Sequence, residues 1–147
     1  MQPRSQDELR VLDDRPNTAW QPLLCAQVLV NGFVSNMHEW MGACDAIITK
    51  AGPGTIAESM ICGLPTVLNA FVPCQEEGNI SFVTDNGVGV FETKVDKAAE
   101  TISRWFSDPA LLQSLAAKAR KLGFPKATFR IAEDLVSLIR LPVMVPA

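Results

Sequence analysis

A chain of 147 residues, 48% hydrophobic and 20% charged, has room for one domain with a real core, which excludes a low-complexity or disordered polymer. Its net charge of −3 supplies no long-range attraction for nucleic acid or anionic lipid, and argues against binding of either as the main activity.

Residues 1–24 are polar, carry Pro3, Pro16 and Pro22, and show no sustained period; they are expected to be poorly structured. Residues 25–140 read as the folded body and 141–147 as a tail. Val28-Leu29-Val30 reads as a first strand. Met37, Trp40, Met41 and Cys44 then recur at helical spacing behind the capping candidates Ser35 and Asn36, with Trp40 and Met41 as core. A strand over Ala46–Thr49 follows, then a helix from about Thr55 to Cys62 that Gly63-Leu64-Pro65 stops. A third strand, Thr66–Asn69, leads through a loop from Pro73 to Glu77 into a helix over Asn79–Asp85. Asn86-Gly87 ends that helix before a strand over Val88–Phe91.

The remainder is helical. Val95, Ala98, Ala99, Ile102 and Trp105-Phe106 line one face, Asp108-Pro109 starts the next helix, and Gly123 stops it. A last helix carries Ile131, Leu135, Leu138 and Ile139. Strands alternating with helices predict an α/β fold with an open, Rossmann-like parallel sheet and C-terminal helices. Four strands are fewer than such a sheet usually has, so the chain reads as part of a domain.

Cys25, Cys44, Cys62 and Cys74 form no Cys-x-x-Cys pair and His38 is the only histidine, so a zinc site or a nucleophilic triad has little to build on. The cysteines read as buried or partly buried free thiols in a reducing compartment. No apolar run reaches the roughly 18 residues that cross a bilayer, and the first residues hold no signal-peptide core, so a soluble, untargeted chain is expected.

The informative stretch is Asp45–Glu58, a strand that runs into Gly52-Pro53-Gly54 and then a helix. Backbone N–H groups at such a helix start have no intrahelical acceptor and, with the helix dipole, favour a phosphate. Gly52–Ala57 formally matches the dinucleotide pattern G-x-G-x-x-G/A. Pro53 stiffens the turn, however, and the following strand ends in Asn69-Ala70-Phe71 without the acidic residue that holds a ribose. A Walker loop is no better, since Lys50 precedes the glycines. A simple strand-to-helix connection remains the alternative.

The next loop leaves the same edge of the sheet and carries Gln75, Glu76 and Asn79, donors and acceptors suited to sugar hydroxyls. An exposed polar loop with Asn79 as a helix cap explains the same residues. In the loop before both, Gly32 admits a flat ring, and Phe33 and Val34 can present peptide groups to its edge.

The ordered run Asn31-Gly-Phe, Glu39-Trp-Met-Gly-Ala-Cys-Asp45, Ile47 through Glu58, Gly63-Leu-Pro65, Gln75-Glu76 and Gly78-Asn79 resembles the C-terminal half of the plant monogalactosyldiacylglycerol synthases. More distantly it is similar to the bacterial N-acetylglucosaminyltransferase of peptidoglycan precursor synthesis. Both are inverting glycosyltransferases with two Rossmann-like domains, the GT-B architecture, and the resemblance spans roughly Phe33 to Arg140.

It implies that Phe33, Val34 and neighbouring backbone meet the uracil of UDP-galactose and that Glu58 meets the ribose. Gly52, Gly54 and Thr55 would line the diphosphate, with Gln75, Glu76 and Asn79 near the galactose and ribose. It implies no catalytic residue in this chain, no cofactor and no metal. The general base would be a histidine of an N-terminal acceptor domain that takes diacylglycerol, and His38 is not that base. It further implies peripheral attachment to the plastid envelope and an isolated chain without activity. Asn31 and Cys74 depart from the family's pattern, which has arginine and glycine there. A non-catalytic module that binds a nucleotide sugar or a partner protein, and a dinucleotide-dependent oxidoreductase, are the alternatives.

Overall fold

Central to the molecule is a three-stranded parallel sheet in the order β1-β2-β3, built from Ile47–Lys50, Thr66–Ala70 and Gly89–Phe91. The computed structural model describes residues 28–139, which fall into a short segment, 28–34, and a body that begins at Ser35. Expectations for residues 1–24 and 141–147 lie outside the described residues.

Parallel neighbours cannot be joined by a tight turn, and here helices make both crossovers. The helix α1 (Met37–Gly42) precedes β1, α2 (Pro53–Cys62) links β1 to β2, and α3 (Glu77–Asp85) links β2 to β3. Three further helices follow, α4 (Val95–Ser107), α5 (Pro109–Leu122) and α6 (Ala127–Leu138). In register, Ile48 lies beside Val67 and Val67 beside Val90.

The middle strand is covered on both faces, as its run Thr66-Val67-Leu68 requires. Leu68 packs with Ile56 and Met60 of α2, Val83 of α3, Val88, and Ala119 of α5. Val67, one residue earlier and on the opposite face, packs with Ala98 and Trp105 of α4 and with Leu111, Leu112 and Leu115 of α5. Helix α5 therefore contributes to both layers. Each fully buried Met, Leu or Val side chain adds about 1.5–3 kcal/mol, which the short strands cannot supply by hydrogen bonding alone.

The punctuation read from the sequence works as its chemistry dictates. Gly63, with φ 74°, follows α2; its N–H donates to the Met60 carbonyl (3.1 Å) and the Leu64 N–H to the Ser59 carbonyl (2.8 Å), the two-bond Schellman ending. Asp108 Oδ1 accepts from the Leu111 N–H at 3.0 Å and Pro109 opens α5. Gly123 ends α5 in an ordinary extended conformation, and its role is space: a Cβ there would stand 2.8 Å from the Met60 carbonyl oxygen.

Several expectations fail. Val28-Leu29-Val30 is no strand and its side chains are exposed, because a three-residue apolar run becomes a strand only through a neighbour's ladder. Helix α2 begins at Pro53 rather than Thr55, since proline's fixed φ suits the first helical position. Helix α3 begins at Glu77, so Asn79 lies inside it and is not its cap. In α1, only six residues long, Met41 is buried but Trp40 is 39% exposed. No residue of α6 is buried, Ile131, Leu135 and Leu138 included. Cys44 and Cys74, read as buried or partly buried thiols, are exposed.

Candidate functional site

At the C-terminal end of β1 the chain turns sharply into α2. The Ala51 N–H donates to the Ala70 carbonyl (2.8 Å), continuing the pairing with β2 past an irregularity between Thr49 and Lys50. The Gly52 N–H then folds back to the Lys50 carbonyl (2.8 Å), and the Ile56 N–H makes the first helical bond, to the Gly52 carbonyl (3.0 Å). Pro53 has no N–H, and the N–H groups of Gly54 and Thr55 have no acceptor among the described residues. Neither a side-chain cap nor an acidic residue in the first turn offsets the positive end of α2. This helix start is chemically suited to an anion.

The loop from β2 to α3 is locked against that turn. The N–H groups of Gln75 and Glu76 both donate to the Val72 carbonyl, at 3.2 and 3.0 Å, and Cys74 adopts φ 65° to close the bend. Glu76 is only 4% exposed. Its Oε1 accepts from Lys50 Nζ at 2.5 Å and its Oε2 from the Val72 N–H at 2.8 Å. The hydrogen bond from Lys50, then that from Val72, hold its carboxyl below the usual carboxylate range, although burial pulls the other way. Asn79 Nδ2 donates to the Ala51 carbonyl at 2.8 Å. Two polar bridges therefore join the β1–α2 turn to the β2–α3 segment, at the sheet edge where ligands of open α/β folds bind. Below them, the rings of Phe71 and Phe91 meet edge to face, 5.7 Å between centroids.

The structure thus brings Gly52, Gly54, Thr55, Glu76 and Asn79 together. Gln75 is exposed on the same loop, and Glu58 is exposed on α2 with no intramolecular partner for its carboxylate among the described residues. Glu76 and Asn79, read from the sequence as facing a sugar, instead spend Glu76's two oxygens and Asn79's amide hydrogen on the protein itself. Phe33 is fully exposed and Val34 partly so, in the 28–34 segment. His38 lies on the exposed side of α1. The sequence reading missed Lys50. The signal for it was present: a lysine ends the strand two residues before the glycine turn, and Glu76-Glu77, in the loop after the neighbouring strand, offers it a counterion.

Among the described residues no group of three or more His, Cys, Asp or Glu could hold a metal ion, and no helix is long and apolar enough to cross a membrane.

The family profile of the glycosyl transferases group 1 matches residues 15–122. Monogalactosyldiacylglycerol synthase 3 of Arabidopsis thaliana is 48% identical over 120 residues, covering 81% of this chain and 26% of its own length. The probable monogalactosyldiacylglycerol synthase 3 of Oryza sativa subsp. japonica is 51% identical over 114 residues, 77% of this chain and 22% of that protein. The Spinacia oleracea synthase is 48% identical over 119 residues, 80% of this chain and 23% of its own. All three are named chloroplastic, and the chain spans about a quarter of their length. Among solved structures, MurG of Acinetobacter baumannii superposes with a TM-score of 0.64 at 23% identity, over 75% of this chain and 33% of MurG. The glycotransferase of kitacinnamycin gives 0.52 at 25%, over 69% of this chain and 27% of its own. The fold is that of the GT-B glycosyltransferases, an α/β open parallel sheet.

Proposed function

The chain belongs to the glycosyl transferases group 1 family, and from that premise we propose that it is the donor-binding part of an enzyme that moves galactose from UDP-galactose to diacylglycerol with inversion. The observation that carries the reading is the pair of Gly54 and Thr55 N–H groups, without an acceptor among the described residues, at a helix start with no side-chain cap and no acidic residue in its first turn.

In this reading Gly52, Gly54 and Thr55 receive the diphosphate and Glu58 accepts from the ribose hydroxyls. Gln75 offers its amide to the galactose, while Glu76 and Asn79 hold the loop that presents it. During transfer the acceptor hydroxyl attacks the anomeric carbon, a base takes its proton, and the bond to the diphosphate breaks with inversion. Negative charge then grows on the leaving UDP, where preset N–H dipoles stabilise it without reorganisation. The base belongs to a segment beyond this chain, and so does the diacylglycerol site. The plastid envelope is the proposed location, with peripheral attachment of the whole enzyme.

Isothermal titration with UDP tests the reading. Binding that weakens at least tenfold in Glu58→Ala, with α2 intact by circular dichroism, is the expected result; no heat at millimolar UDP in the wild-type chain overturns it. The 147-residue chain alone is expected to transfer no galactose to diacylglycerol, and measurable turnover would overturn the assignment of the base to another segment.

A further inference from the structure

We propose that Lys50 is a further donor-contacting residue and that Glu76 is its resting counterion: the ammonium rests on Glu76 in the free protein and is shared with the diphosphate when the donor binds. This rests on the donor-site reading above, and it begins from a charge in the wrong place.

A helix start carries roughly half a positive charge, so cations are disfavoured there and anions favoured. Lys50 nevertheless sets its ammonium against the start of α2: a Cβ built on Gly52, the N-cap residue, would stand 3.1 Å from Lys50 Nζ. What holds it is Glu76, whose side chain is 5% exposed and whose second oxygen is fastened to the Val72 N–H. The carboxylate is fixed, whereas the lysine side chain is 57% exposed. An ammonium has three N–H donors; one goes to Glu76 Oε1, and no other acceptor engages it among the described residues. Two donors therefore remain for a ligand, at the same helix start as the free N–H groups of Gly54 and Thr55.

Counting one carboxylate, one ammonium and the helix end, the cluster retains about half a positive charge, and an arriving diphosphate meets attraction rather than a neutralised surface. Lysine suits such sharing because its charge is compact and its stem flexible. A Cβ built on Gly52 would also stand 3.9 Å from Glu76 Oε1, so the whole ion pair lies beside the N-cap of α2.

The test titrates the full chain and three variants with UDP and with uridine, which shares the base and ribose but lacks the phosphates. Lys50→Met is expected to bind UDP roughly tenfold more weakly, the loss of one charge-assisted hydrogen bond, and uridine within about twofold of wild type. Lys50→Arg, which keeps the charge, should restore UDP binding to within about threefold. Glu76→Gln should also stay within about threefold, because its amide oxygen still accepts from the Val72 N–H and Lys50 remains free to meet the phosphates.

Lys50→Met that binds UDP as well as wild type overturns the proposal. So does an equal loss of UDP and uridine, or a loss in Glu76→Gln as large as in Lys50→Met, either of which makes the pair only a brace. Should Lys50→Met fail to fold, Lys50→Gln, which also removes the charge, takes its place under the same thresholds. Wild-type chain that binds no UDP sinks the donor-site reading and this proposal with it. Wild-type binding with an unaffected Lys50→Met sinks this proposal alone.

Discussion

Replacing Cys74 with glycine is expected to stabilise the protein, although it removes a side chain. Cys74 sits at φ 65°, in the left-handed region, where its Cβ crowds the following carbonyl at a cost of about 1–2 kcal/mol. The bend cannot relax, because Gln75 and Glu76 N–H groups both return to the Val72 carbonyl and the Glu76 carboxylate takes the Val72 N–H. Glycine abolishes that cost but frees the unfolded chain, which returns about 0.4–1 kcal/mol to the unfolded side. The thiol is exposed, so little packing is lost. The difference leaves Cys74→Gly more stable by about 0.5–1 kcal/mol, a rise in Tm of about 2–4 °C for a domain of this size. Urea unfolding followed through the fluorescence of buried Trp105 measures it, with Cys74→Ala as the control. Alanine keeps the Cβ at the same φ and should stay within about 0.5 kcal/mol of wild type. A gain in Cys74→Ala equal to that in Cys74→Gly would refute the backbone argument, since only glycine removes the strain.

Asn79→Asp should cost about 1–2 kcal/mol at pH 7, because a carboxylate cannot donate to the Ala51 carbonyl that Nδ2 now satisfies; urea melts that match wild type would show that this bridge contributes nothing. Gly89→Ala should cost at least about 2 kcal/mol, since the new Cβ would stand 1.9 Å from the Thr66 carbonyl oxygen and 2.8 Å from Val83 Cγ1, forcing β3 off β2. Faster hydrogen exchange at the β2–β3 amides would accompany that loss, and an unchanged exchange pattern would contradict it. Acid should weaken the fold partly through Glu76: its carboxyl is held below the usual range, so its contribution is complete above about pH 4.3 and disappears as pH falls through its lowered value. Glu76→Gln should flatten that part of the acid limb, and an unaltered limb would remove Glu76 from the account.

Where elements are specified locally, they were legible. Gly63, Asp108-Pro109 and Asn86-Gly87 fold the chain at the places their chemistry demands, and the alternation of strand and helix led directly to a parallel sheet. Where the outcome depends on a distant neighbour, periodicity misled. Val28-Leu29-Val30 has the composition of a strand but no ladder, and α6 carries apolar residues at helical spacing yet buries none of them. The boundaries of α2 and α3 moved by two residues for one reason: the sequence reading treated Gly-Pro-Gly and Glu77-Gly78 as loop, whereas proline at a first helical position and an acidic residue in a first turn are both favourable there.

The site was legible in its backbone and illegible in its side chains. A glycine turn at the end of a strand announces free N–H groups whatever surrounds it, so Gly52, Gly54 and Thr55 needed no tertiary information. The fate of Glu76 did need it. Nothing within its own loop buries a carboxylate; burial becomes tolerable only because Lys50, 26 residues earlier, ends the adjacent strand within 2.5 Å and the Val72 N–H takes the other oxygen. The same separation concealed Lys50, which a motif reading discards for standing before the glycines rather than after them. In space that order has no meaning. What matters is that a strand end and a neighbouring loop deliver one cation and one buried anion to the start of a helix whose first turn holds no acidic residue.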